Sequence, residues 1–154
     1  MQADVAVILK GLLDSFGAEY KDISQVEVAG QTIYQIAVDD GKQLIGSHGD
    51  TVHAIDYLVK KMVEQQSSAT EGGEAPHFII DVNDYRTRQI RDLQTKAKMM
   101  AERARSFQYD VEMSPMSAYE RLIIHTTLQD EPNIKTESMG EGRGRRVVIK
   151  YAAG

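Results

Sequence analysis

Near the start of the chain the apolar positions Val5, Ile8, Leu9, Leu12, Leu13 and Phe16 recur at three- and four-residue steps, with Gly17 after them. That spacing predicts an amphipathic helix with one buried face. Two shorter runs rich in Val, Ile and Tyr follow, Ile23 to Ala29 and Thr32 to Val38, with Ala29-Gly30-Gln31 at their junction. They predict two antiparallel strands joined by a tight turn. Asp39-Asp40-Gly41 breaks the second strand, and Lys42 to Ile45 reads as a short turn or helix. Helical spacing resumes at Val52, Ile55, Leu58, Val59 and Met62, so a helix is expected from just after Gly49 to about Gln65, capped by Asp50 or Thr51. Gln65 to Pro76 is polar and aperiodic, which predicts a mobile loop, and His77 to Val82 reads as a third strand.

The second half repeats this mixture without repeating its order. Asn83 is placed to cap a helix from Asp84 to about Ser106, whose apolar stripe is Ile90, Leu93, Ala97, Met100, Ala101 and Ala104. Its other face carries Arg88, Arg91, Lys98 and Arg105. Tyr109 to Met113 is strand-like, Ser114-Pro115 suits a helix opening, and Ser117 with Glu120 forms a capping-box pattern. The helix that follows is expected to turn Leu122, Ile123 and Ile124 to the core and to carry Arg121 and His125 one turn apart. Ile134 to Met139 and Val147 to Tyr151 then predict a strand pair around Gly140 to Arg146. The fold class is α+β, in two modules spanning residues 1–82 and 83–154.

Composition narrows the setting. The 154 residues are 42% apolar and 27% charged, ordinary for a globular protein, and hold no cysteine, which excludes disulfides and thiolate metal sites. No basic stretch followed by an apolar core opens the chain, so neither a signal peptide nor a membrane insertion is expected, and the setting that fits is the cytoplasm. The formal net charge of -5 is unevenly spread. Residues 1–80 hold 5 basic against 12 acidic side chains, and residues 81–154 hold 13 against 11, so whatever basic surface exists belongs mainly to the second half.

Two constellations carry candidate chemistry. Gly46 and Gly49 bracket Ser47-His48 in front of a helix, a loop able to bring backbone N–H groups and a helix N-terminus close to a phosphodiester; Ile45 precedes it. Arg121 offers a planar fork for phosphate oxygens, His125 adds a donor on the same helical side, Ser138 supplies a hydroxyl, and the glycines at 140, 142 and 144 let Arg143, Arg145 and Arg146 lie close to a strand. Acidic neighbours Glu120, Glu137 and Glu141 are the competing partners for Arg121. The histidines at 48, 53, 77 and 125 follow no familiar zinc spacing, and Ser138 with His125 lacks the glycine elbow of a nucleophile. No enzyme, metal or cofactor is expected.

Ile45-Gly46-Ser47-His48-Gly49, set in the order helix, strand, strand, short helix, helix, strand, resembles a type II KH module over residues 2–82. Arg121-Leu-Ile-Ile-His125, Thr136-x-Ser138-x-Gly140-Glu141-Gly142 and Arg145-Arg146-Val-Val-Ile149 resemble the single-stranded-nucleic-acid-binding domain named for its Arg-x-x-x-His motif. With Asp81-x-x-x-Tyr85-Arg86 between them, the chain resembles the Jag family, also called SpoIIIJ-associated, KhpB or EloR proteins. The resemblance implies a bacterial protein that binds single-stranded RNA and is linked to cell elongation and division. Single-stranded DNA is the alternative ligand, and pairing with another KH protein the alternative function. Two departures from the family pattern are expected: these 154 residues would not accommodate the extra N-terminal Jag domain that the family often has, and the loop carries Ser47-His48 where basic residues are common.

Overall fold

The computed structural model describes residues 4–67 and 77–153, which fall into two compact units, Met1–Thr87 and Arg88–Gly154. The first runs α1 (Val5–Ser15), β1 (Asp22–Val28), β2 (Gln31–Ala37), α2 (Lys42–Ile45), α3 (Asp50–Ser67) and β3 (Ile79–Val82), the order expected from the hydrophobic pattern. Asp4 starts α1 by accepting the N–H groups of Ala6 and Val7 at 3.0 and 3.3 Å. β1 and β2 pair antiparallel through a corner in which Ala29 and Gly30 both take positive φ, the geometry whose twist matches paired strands. β3 then joins β2 in parallel, Ile36 beside Val82. Leu9 and Leu13 of α1, Val52 and Val59 of α3, and Ile36, Ile80 and Val82 of the sheet make the core.

The second unit holds most of α4 (Tyr85–Phe107), then β4 (Val111–Glu112), α5 (Ala118–Leu128), β5 (Ile134–Met139) and β6 (Arg146–Tyr151). β6 is the middle strand and pairs antiparallel with both neighbours. Ala97, Ala101 and Ala104 give α4 a smooth stripe that packs with Ile124 and Leu128 of α5 and with Val111, Val147 and Ile149 of the sheet. Ser117 and Glu120 close the expected capping box on α5.

Several expectations need correction. Leu122 is exposed while Ile123 and Ile124 are buried, because three consecutive helical residues span about 200° and cannot all face one core. Leu58 is likewise exposed, and Val63 completes the buried row of Val52, Ile55 and Val59. Phe16 lies past the end of α1 and is exposed. Ser114-Pro115 precedes α5 without opening it, and the strand expected over Tyr109 to Met113 contracts to two residues. α3 continues through Ser67, so the start of the predicted Gln65–Pro76 loop is helical; residues 68–76 lie outside the described residues.

Asn83 does not cap α4. It takes a positive φ of 48° and pairs its amide with both backbone groups of Val38 at 3.0 Å. The cap is Asp81, fully buried, whose carboxylate accepts the N–H groups of Arg86 (2.7 Å) and Thr87 (2.9 Å) at the head of α4. The same carboxylate accepts Gln35 Nε2 at 2.9 Å, the Thr87 hydroxyl at 3.0 Å and the N–H of Val82 at 2.8 Å. Burial of a charge requires such saturation with donors.

Candidate nucleic-acid interface

In the first unit, Gly46 adopts φ 75° and ψ -175°, a conformation open in practice only to glycine. A Cβ there would run into the Thr51 hydroxyl and come within 2.8 Å of the Thr51 nitrogen. Ser47 to Gly49 form a single tight turn in which His48 is left-handed (φ 54°), and α3 starts directly after it at Asp50. Gly49 is buried with φ 82°, and a Cβ on it would stand 2.9 Å from the Tyr85 ring. Ser47 and His48 are exposed, and Ile45 is half-buried against the core. Further along α3, His53 is held below its ordinary pKa of 6.5, by burial first and then by the nearby Arg86. Asp56 receives Arg86 Nη1 and the Ile80 N–H on one oxygen and Lys60 on the other.

In the second unit, β5 alternates so that Thr136 and Ser138 share one side while Lys135, Glu137 and Met139 are exposed on the other. His125 of α5 meets that side. Its Nδ1 lies 2.6 Å from the Thr136 hydroxyl and its Nε2 2.9 Å from the Ser138 hydroxyl, so the ring is clasped at both nitrogens. Burial, followed by the charge of Arg121, keeps its pKa below 6.5, and the imidazole is neutral at pH 7. Arg121 donates to the Met116 carbonyl at 2.8 Å and forms no ion pair among the described residues. Glu120 is engaged by Ser117 and Glu137 by Lys150, which leaves the arginine charge uncancelled by two of its three expected competitors.

The three arginines of the glycine-rich connection are not alike. Arg145 donates to the Gly140 carbonyl at 2.8 Å, and Arg146 binds Glu112 at 2.9 Å and the Gly144 carbonyl at 3.3 Å. Gly140 (φ 91°) lies where a Cβ would be 2.8 Å from the Gly144 carbonyl, so the connection folds tightly on itself. Arg143 stays exposed at its tip and, with Arg121, Ser117, Pro115 and Met116, lines a cavity of about 490 Å³. Arg121 and Arg143 thus border one cavity beside the capped start of α5. Such a site suits a phosphate oxygen better than a carboxylic acid catalyst or a metal. Among the described residues no group of three or more His, Asp or Glu could hold a metal ion, and no helix is long and apolar enough to cross a membrane.

The sequence pattern marks Arg121, His125, Ser138 and Arg143 but assigns no role to Thr136 or the Met116 carbonyl. Thr136 is within reach of the pattern, since it lies two residues before Ser138 on a predicted strand and must share its face. The Met116 carbonyl has no signal, because it depends on the path of an irregular segment.

Residues 91–151 match the family model of the Arg-x-x-x-His domain, so the second unit carries a domain of that class. The chain is also similar to RNA-binding protein KhpB of Clostridium symbiosum, 36% identical over 111 residues that make up 72% of this chain and 48% of that protein. RNA-binding protein KhpB of Bacillus subtilis is 30% identical over 132 residues, 84% of this chain and 61% of that protein. The chain thus spans about half the length of the curated relatives it matches.

Proposed function

We propose that this protein is a KhpB-type, or Jag-family, member that binds single-stranded RNA without catalysing a reaction. The observation that carries the reading is the cavity shared by Arg121 and Arg143 in a domain whose relatives are named RNA-binding proteins. In this reading the second unit grips phosphate through those two arginines, and clasped His125 with Ser138 holds the helix and strand that present them. The first unit acts as a type II KH module. Its Gly46–Gly49 loop receives the backbone while unpaired bases lie against Ile45 and Val52. Because Ser47-His48 replaces a basic pair, this module contributes geometry more than charge. A cytoplasmic regulatory role in bacterial cell elongation or division follows from the family resemblance.

The test is a competition assay across an RNA pool, with duplex RNA and single-stranded DNA as further arms. The parent is expected to favour unpaired RNA and to weaken with salt, with a slope of roughly 0.7 per phosphate contact. Ser47→Asp/His48→Asp is expected to flatten sequence preference, and removal of Arg143, Arg145 and Arg146 to lower total affinity more. An unchanged preference in the loop variant would turn the first unit into a protein-pairing module.

A further inference from the structure

We propose that Tyr85 is a positioning residue for RNA binding, holding the Gly46–Gly49 loop in its receptive shape; this rests on the nucleic-acid reading of that loop. The loop is pinned at both ends. Gly46 abuts Thr51 at the start of α3, and Gly49 lies so close to the Tyr85 ring that a Cβ there would be 2.9 Å from Cε1. His53 Cδ2, at 3.4 Å from the same point, completes the wall.

Tyr85 itself has little room to move. The two residues before it, Asn83 and Asp84, are both left-handed, a costly turn for side-chain-bearing residues that persists only when its surroundings dictate it. Those surroundings are explicit. Asn83 is bonded to Val38, the Asp84 N–H donates to Gln35 Oε1 at 3.1 Å, and Asp81 accepts the N–H groups of the two residues after Tyr85. Arg86 then ties the head of α4 to Asp56 of α3, the helix that the loop opens. The ring is thus placed by strand, turn and helix together and delivered onto Gly49. This gives the Asp81-x-x-x-Tyr85-Arg86 motif one purpose: Asp81 and Arg86 fix the frame, and Tyr85 transmits it to the loop.

The experiment compares the full-length parent with Tyr85→Phe, Tyr85→Ala and Tyr85→Leu, the last keeping apolar volume without the flat ring. Amide hydrogen exchange at Ser47, His48 and Gly49 is read in the free protein, and RNA preference in the pool assay. Phe is expected to behave as the parent, whereas Ala and Leu raise loop exchange by about tenfold and flatten RNA preference. If Ala does not fold, Leu gives the same comparison. A lower melting temperature with unchanged exchange at 47–49 reduces Tyr85 to core filling and overturns the proposal while leaving the loop's RNA role intact. Faster exchange with unchanged RNA preference overturns the RNA role of the loop itself, and the proposal falls with it.

Discussion

His125 Nδ1 lies 2.6 Å from the hydroxyl oxygen of Thr136, a contact that ties α5 to an edge strand through a neutral imidazole. Burial and the adjacent Arg121 both oppose protonation of that ring. As pH falls below the ordinary value of 6.5, the unfolded chain therefore takes up the proton first. The contribution is fully present above about 6.5 and is lost as pH falls through the lower folded-state pKa. His53, shifted the same way, adds to the loss. Urea unfolding at stepped pH is expected to show weakening below 6.5 that is smaller in His125→Gln, and an NMR titration should place the His125 midpoint under 6.5. A midpoint at or above that value would contradict the clasped, partly buried ring.

Arg121 and His125 should separate by what their removal costs. Arg121→Ala deletes a charge lining the cavity and is expected to weaken RNA binding about tenfold, or about 1.4 kcal/mol, with little change in fold. His125→Ala deletes both contacts to β5 and should lower stability by roughly 1–3 kcal/mol, with the smaller effect on binding. Fluorescence anisotropy with a labelled oligonucleotide, paired with urea melts, reads both.

Two glycine replacements should differ in cost although both glycines take positive φ. Gly46→Ala meets Thr51 directly and is expected to distort the loop or destabilise the first unit by several kcal/mol, as strain and overpacking combine. At Gly142 nothing lies within 4 Å of the added methyl, so Gly142→Ala should cost only the roughly 1–2 kcal/mol of the left-handed backbone. Thermal melts of the two variants decide it.

Asp81→Ala removes the acceptor of five donors at a fully buried position and should cost roughly 3–5 kcal/mol, close to the whole margin of a small domain. Ser117→Ala, at an exposed cap, should cost about 1 kcal/mol. Denaturant midpoints for the two, measured side by side, should preserve that ranking.

The element order of both units could be read from the chain because each helix and strand keeps its own hydrophobic period. The loop conformation could be anticipated from Gly46 and Gly49, and the pairing of Arg121 with His125 from their four-residue spacing. What escaped the sequence was long-range. Asp81 caps a helix it precedes by several residues because two left-handed residues turn the chain back, and local capping rules pointed instead to Asn83. The unequal duties of Arg143, Arg145 and Arg146 depend on where Glu112 and the Gly140 carbonyl fall in space. Adjacent arginines carry no mark of that in their order.

The turn at Gly46 to Gly49 separates shape from charge. Its backbone path is dictated by two glycines, Thr51 and Tyr85, whereas the two side chains it displays are exposed. Exchanging Ser47 and His48 for lysines, arginines or acids is therefore expected to leave the scaffold unaltered, provided the second of them tolerates a left-handed backbone. Two codons are enough to retune the electrostatic character of this turn without refolding anything.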